Sequence, residues 1–154
     1  MLTPLLPQRA DNSYRGHRLG LWLLGLVLLV KTAISLGTIF NGRDAAVSAD
    51  GIPIDSYTAA GAQTVVSLFA LLGLSQLMLC VASIVVMIRY RALVPFMFAL
   101  LLVYHLGRQV VLVALPIVRT GAPPGAGMNV ALLTALLVGF ALSRWSRGEP
   151  QAVG

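Results

Sequence analysis

Residues 19–40 read LGLWLLGLVLLVKTAISLGTIF, and this stretch decides the architecture. It carries a single charge, Lys31. Wound as an α-helix it is about 33 Å long, enough to cross a hydrocarbon core of about 30 Å. Three further apolar runs follow, at about 62–88, 92–118 and 128–143. Inside lipid every backbone N–H and C=O must be satisfied within the segment itself, which leaves helices and closed barrels. A barrel strand would alternate apolar and polar residues, whereas these runs are continuous. The expected fold is an all-α integral membrane four-helix bundle, a single domain over residues 1–154.

The composition agrees. Of 154 residues, 58% are hydrophobic and only 10% are charged, too few charges to cover a water-facing globule of this size. Cys80 is the only cysteine, so neither an intrachain disulfide nor a multi-cysteine metal site can form. Arginine outnumbers lysine ten to one. With abundant Ala, Leu, Val and Gly, that usage fits a GC-rich bacterial genome.

Local signals divide the runs. Asn41-Gly42 closes the first with residues that tolerate a left-handed cap. Asp55 or Ser56 is expected to cap the second, and Tyr57 suits a lipid–water interface. Pro95 falls in the first turn of the third run and Pro116 near its end. The run 120–125, TGAPPG, is a turn. Arg89-Tyr90-Arg91 predicts a tight antiparallel hairpin between the second and third runs. The first run follows eighteen residues, is too long for a signal core and lacks a small-x-small cleavage site, so it is read as a retained span.

The net charge of +6 concerns orientation rather than nucleic acid, because the cations cluster at the ends of apolar runs. Arg9, Arg15, Arg18, Arg89, Arg91, Arg144 and Arg147 fall on one side, and only Arg43 and Arg119 on the other. The bias predicts an antiparallel up-down bundle in the cell inner membrane, with both tails, 1–18 and 144–154, in the cytoplasm. Trp22 and Trp145 then lie near the cytoplasmic interface. Three of the five acids, Asp44, Asp50 and Asp55, share the outer loop 41–61, while Asp11 and Glu149 lie in the tails. Lys31 precedes Arg43 by 12 residues and Arg108 precedes Arg119 by 11, a spacing read as coincidence rather than repeat.

Polar residues inside the runs carry the functional signal. Lys31, Ser35 and Thr38 share a stripe of the first helix, and Gln76, Cys80 and Ser83 a stripe of the second, near Gly73. On the third, Tyr104 and Arg108 are one turn apart, as are His105 and Gln109. The fourth offers Asn129 and Thr134. Lys31, Gln76, Tyr104, His105, Arg108 and Gln109 form the candidate polar pocket, with Lys31, Gln76, His105 and Arg108 at similar depth. No acid lies inside any run. A cation at a helix centre costs roughly 2.5–3.5 kcal/mol on insertion scales, so Lys31 and Arg108 need a compensating group. Three are open to them: the loop acids Asp44, Asp50 or Asp55, an anionic ligand, or snorkelling toward the interface. Internal pairing or snorkelling that merely sets packing is the leading expectation, ahead of an anion site or a subunit interface. The segment 50–57, DGIPIDSY, matches no calcium-loop spacing and reads as a structured plug bridged to Arg43 or Arg108.

Other chemistry is weakly signalled. Paired-histidine haem ligation needs a second histidine at depth, and His17 lies in the tail, so His105 reads as a packing residue. Cys80 reads as a small buried side chain, since no charged base is near it in sequence. Nothing in the spacing assembles a Ser-His-Asp set. Ala131, Ala135 and Gly139 form a smooth strip suited to close packing within the bundle.

No metal, cofactor or catalytic group is expected. Membrane lipids are the expected partners, with a homo-oligomer or larger membrane complex as the assembly. The leading functional expectation is an accessory subunit or binder with a cationic pocket. A small oligomeric anion transporter or channel is the alternative. A membrane redox or lipid-modifying enzyme using His105 is the second alternative.

Overall fold

The computed structural model describes residues 5, 7, 10–121 and 123–145. Arg9, Arg147 and Glu149 of the charge count lie outside them. The described residues are dominated by four long helices: Arg18–Phe40, Ala59–Arg89, Val94–Ala114 and Ala126–Arg144. These are the first to fourth helices below. Four helices, the third counted with its preceding turn, are long and apolar enough to cross a membrane. The protein is an all-helical membrane protein by length and composition.

The boundaries differ from expectation where a specific residue intervenes. The second helix is capped by Thr58, whose Oγ1 accepts from Gly61 N at 3.2 Å. Asp55 and Ser56 belong instead to a separate short turn, Ile54–Ser56. The third helix ends at Ala114, short of residue 118. Leu115 precedes Pro116, whose ring disfavours helical backbone at the preceding residue, and Leu115 adopts φ −127°, ψ 77°. Asn41 ends the first helix at φ −126°, not in the left-handed region. Among the described residues only Gly51, at φ +69°, takes that conformation.

The main core is built by Leu24, Val27, Leu28, Cys80, Val94, Phe98, Leu101, Leu102, Leu132 and Leu136. The first helix packs most closely on the second and then on the fourth, and the third packs chiefly on the fourth. The second and third are joined by the short turn at 90–93 but share few contacts beyond it, so they are less of a hairpin than the turn implied. Close approaches fall at glycines. A Cβ on Gly139 would lie 2.3 Å from the Phe98 ring, and one on Gly73 would lie 3.0 Å from Ser35 O. Gly139 therefore serves packing within the bundle. Along the same strip Ala135 is half-buried and Ala131 exposed.

Each end of the bundle is stitched. At one end, His17 N donates to Leu142 O (3.0 Å) and Ala92 N to Asp11 O (3.2 Å). Tyr14 lies over Gly16 and Gly20, its hydroxyl donating to His17 O at 3.1 Å. At the other end, residues 41–58 fold back onto the helices. Ala46, Ile52 and Ile54 bury themselves against Ala62, Val65, Val66, Phe69 and Ile117. Thr120 N donates to Gly51 O (3.0 Å) and Gly125 N to Ala49 O (3.0 Å), tying this loop to residues 115–125.

Candidate functional site

Lys31 is placed by the apolar pattern around it. Gly20, Leu24, Val27, Leu28, Lys31 and Ser35 form the buried face of the first helix, so the lysine is carried inward with its stripe. It is 3% exposed. Its Nζ lies 5.9 Å from the centroid of the Tyr104 ring, at the outer limit of a cation–π contact. Among the described residues no carboxylate pairs with it. Its backbone carbonyl accepts from Ser35 Oγ (2.8 Å) and Gln76 Nε2 (3.4 Å), which fixes the second helix against the first at this height.

His105 is carried inward the same way, on the stripe Val94, Met97, Phe98, Leu101, Leu102 and His105 of the third helix. It is 5% exposed. Its imidazole faces the Asn129 backbone at the start of the fourth helix, and Lys31 and Arg108 are its nearest charges. Tyr104 and Gln109 are half-buried on either side, and neither makes a side-chain hydrogen bond among the described residues.

Arg108 has a different environment. Its side chain is 36% exposed, and one terminal nitrogen lies 3.4 Å from each Asp50 carboxylate oxygen. Asp50 is the loop acid that turns inward, its side chain only 12% exposed. Arg119 Nε donates to the Asp50 carbonyl at 3.0 Å. Asp55 pairs instead with Arg43 on the surface, and Asp44 is exposed without an ion pair among the described residues. Of the three loop acids considered as counter-charges, the structure thus brings one to Arg108 and none to Lys31.

The candidate residues form two neighbouring groups. Lys31, Gln76, Tyr104 and His105 meet where the helices face one another. Arg108, Asp50 and Arg119 meet just beyond, under the loop. Gln109 makes no side-chain hydrogen bond to either among the described residues. Two participants were not singled out from the sequence. In the sequence Arg119 stands out only as an outer-side charge 11 residues after Arg108. Its signal was its place just after Pro116, where the chain leaves the helix and turns back over Asp50. Thr32, beside Lys31 in sequence, has a buried Oγ1 that faces the Cys80 thiol. Cys80 is fully buried, with Thr32 and Lys31 as its polar neighbours. Thr134 on the fourth helix is exposed and bonds back to Val130 O. No group of three or more His, Cys, Asp or Glu among the described residues is arranged to hold a metal ion.

The fold and site together define a class: a small helical membrane protein with an internal cluster of cations only partly balanced by acid. Compared with known proteins, the chain matches no family model, no curated protein and no solved structure.

Proposed function

We propose that the chain is an accessory or binding protein of a cell inner membrane, crossing it four times as an up-down antiparallel bundle with both tails in the cytoplasm. In this reading its internal cationic cluster holds an anionic group. The helix register supports the alternation of direction. Gly25 lies near Met87, Gly73 near Ser35 and Thr38, and Gly42 near Val66, so the second helix descends as the first rises. Gly20 meets Ser143, and Gly139 meets Phe98, in the same opposed sense. The arginine bias supports the cytoplasmic assignment of the tails.

The observation that carries the binding reading is the Lys31 side chain, buried beside an aromatic ring with no acid paired to it among the described residues. An isolated charge in a low-dielectric interior is costly, and a bound anion removes that cost. Asp50 does not serve, because it is committed to Arg108. In this reading His105 helps to pack the cluster, with the Asn129 backbone and the two cations around its imidazole.

Native mass spectrometry in mild detergent tests this. Wild type is expected to carry a bound anion that Lys31→Met loses. Identical adducts in the two proteins, or none in wild type, would remove the reading. A second reading is anion transport, favoured by the succession Lys31, Arg108, Arg119 toward the loop end. It requires anion flux in proteoliposomes that collapses in Arg108→Ala.

A further inference from the structure

The tail end of the bundle carries an open cleft of about 490 Å³, lined by Asn12, Ile88, Arg89 and Tyr90. We infer that this cleft is the seat of an anionic phospholipid. Its phosphodiester is held by Arg89, Asn12 and Tyr90, and one acyl chain lies along the second helix on Met78, Val81, Val85 and Ile88. The seat is separate from Lys31 and does not rest on the binding reading above.

Backbone bonds build the cleft. Ala92 N donates to Asp11 O at 3.2 Å, which holds the segment before the first helix across the turn at 90–93. Asn12 is thereby brought beside the end of the second helix. Arg89 is exposed, and no carboxylate pairs with it among the described residues. Asp11, the acid next to Asn12, is already committed. Its carboxylate accepts from Ser13 N at 3.0 Å and from Ser13 Oγ, with Arg15 as a neighbouring charge. The C-terminal end of a helix ordinarily repels an anion. Here its last carbonyls are taken up: Val86 O accepts from Tyr90 N at 2.9 Å, and Met87 O from Arg91 Nε at 3.1 Å. The second bond also lays another guanidinium over the helix end. The Asn12 amide and the Tyr90 hydroxyl make no side-chain hydrogen bond among the described residues. They add donors to the planar fork of Arg89, which matches two oxygens of a phosphodiester.

The apolar half of the seat follows from helical geometry. Met78, Val81, Val85 and Ile88 recur at intervals of three and four residues, are all exposed, and form one stripe leading to Arg89. From Met78 to Ile88 the helix rises about 15 Å, the hydrocarbon depth of one leaflet. Trp22 and Trp145 are exposed at the same end of the bundle, where indoles mark the lipid–water interface. A headgroup therefore arrives at the height of Arg89 with its chains directed along the stripe. A basic cleft opening onto an apolar stripe fits both halves of an anionic lipid, whereas a free phosphate uses only one of them.

The test is native mass spectrometry of the full chain in mild detergent, titrated with phosphatidylglycerol and with phosphatidylcholine of the same acyl chains. Wild type is expected to bind phosphatidylglycerol more tightly, by about fivefold or more. Arg89→Gln is expected to abolish that preference while leaving phosphatidylcholine binding as it was. Arg18→Gln removes an exposed cation from the same end but outside the cleft, and is expected to preserve the preference. Dihexanoyl phosphatidylglycerol is expected to bind at least about tenfold more weakly than the long-chain lipid. Millimolar inorganic phosphate is expected to leave the lipid adduct in place. The inference is overturned by no preference in wild type, by equal losses in Arg18→Gln and Arg89→Gln, by equal binding of the short-chain lipid, or by displacement with inorganic phosphate. Lys31→Met is expected to keep the lipid. Its loss there, with retention in Arg89→Gln, would move the lipid to the internal cluster and remove the cleft as its seat.

Discussion

At the scale of single residues, Lys31 and Arg108 show why two similar charges in similar positions need different accounts. Arg108 stands nearer the loop and meets Asp50, whereas Lys31 lies on a stripe that carries no acid and meets a ring. Without ligand, the lysine is a net cost to the fold. Lys31→Met, of similar volume and no charge, is expected to raise the thermal midpoint of the ligand-free protein in detergent. A lower midpoint would show that the ammonium has a stabilising partner inside the bundle.

Two glycines make a paired comparison at the same scale. Gly139 faces the Phe98 ring, itself fully buried and unable to retreat, so Gly139→Ala is expected to destabilise by about 1–3 kcal/mol. Gly107 has nothing within 4 Å of an added Cβ, and Gly107→Ala is expected to be neutral or slightly stabilising. Equal midpoints for the two variants would mean that the approach of the third and fourth helices is looser than described.

Tyr14 gives a pH-dependent prediction. Burial disfavours the phenolate and pushes this tyrosine up to about 12 from its ordinary 10.0. Between those values the folded chain retains a proton that the unfolded chain has released. Its contribution to stability is therefore complete below about pH 10 and is lost as the pH rises through about 12. Tyr14→Phe is expected to flatten that part of the stability profile, measured as thermal midpoint against pH.

At the scale of elements, the segment 41–58 behaves as a small folded unit rather than a connector. Ile52 and Ile54, both nearly inaccessible, make it cohere, and the bonds from Gly51 and Ala49 to residues 120 and 125 lock it down. Ile54→Ala is expected to cost about 2–5 kcal/mol of local stability by leaving a cavity there. Trypsin should then cut at Arg43 faster than in wild type, without loss of helical circular dichroism. Unchanged cleavage would mean that the hydrogen bonds alone hold the loop. Element ends follow equally local causes: Thr58 supplies a side-chain acceptor to the start of the second helix, and Pro116 forbids continuation of the third.

At the scale of the whole molecule, orientation is the open physical question, and single cysteines answer it. Cys80 is fully buried and can remain in place. With both tails cytoplasmic, Ser56→Cys should react with a membrane-impermeant maleimide on intact cells, and Ser13→Cys only after permeabilisation. The reverse pattern would invert the topology and place Asp50 on the cytoplasmic side.

Much of this arrangement is legible in the chain itself. A run such as 19–40 can satisfy its backbone in lipid only by coiling, so four helices follow from composition and length. The periodic stripes, which put Lys31 with Leu24 and Leu28 and His105 with Leu101, follow from helical geometry. That Asp50 rather than Asp44 or Asp55 reaches Arg108 was not legible. The choice depends on how Ala46, Ile52 and Ile54 pack on Ala62 and on Ile117, the latter more than sixty residues further along the chain. The solitude of Lys31 was likewise decided only by tertiary structure. Periodicity fixes which face of a helix a residue occupies, but only the packing of one helix on another fixes which neighbour, charged or neutral, that face meets.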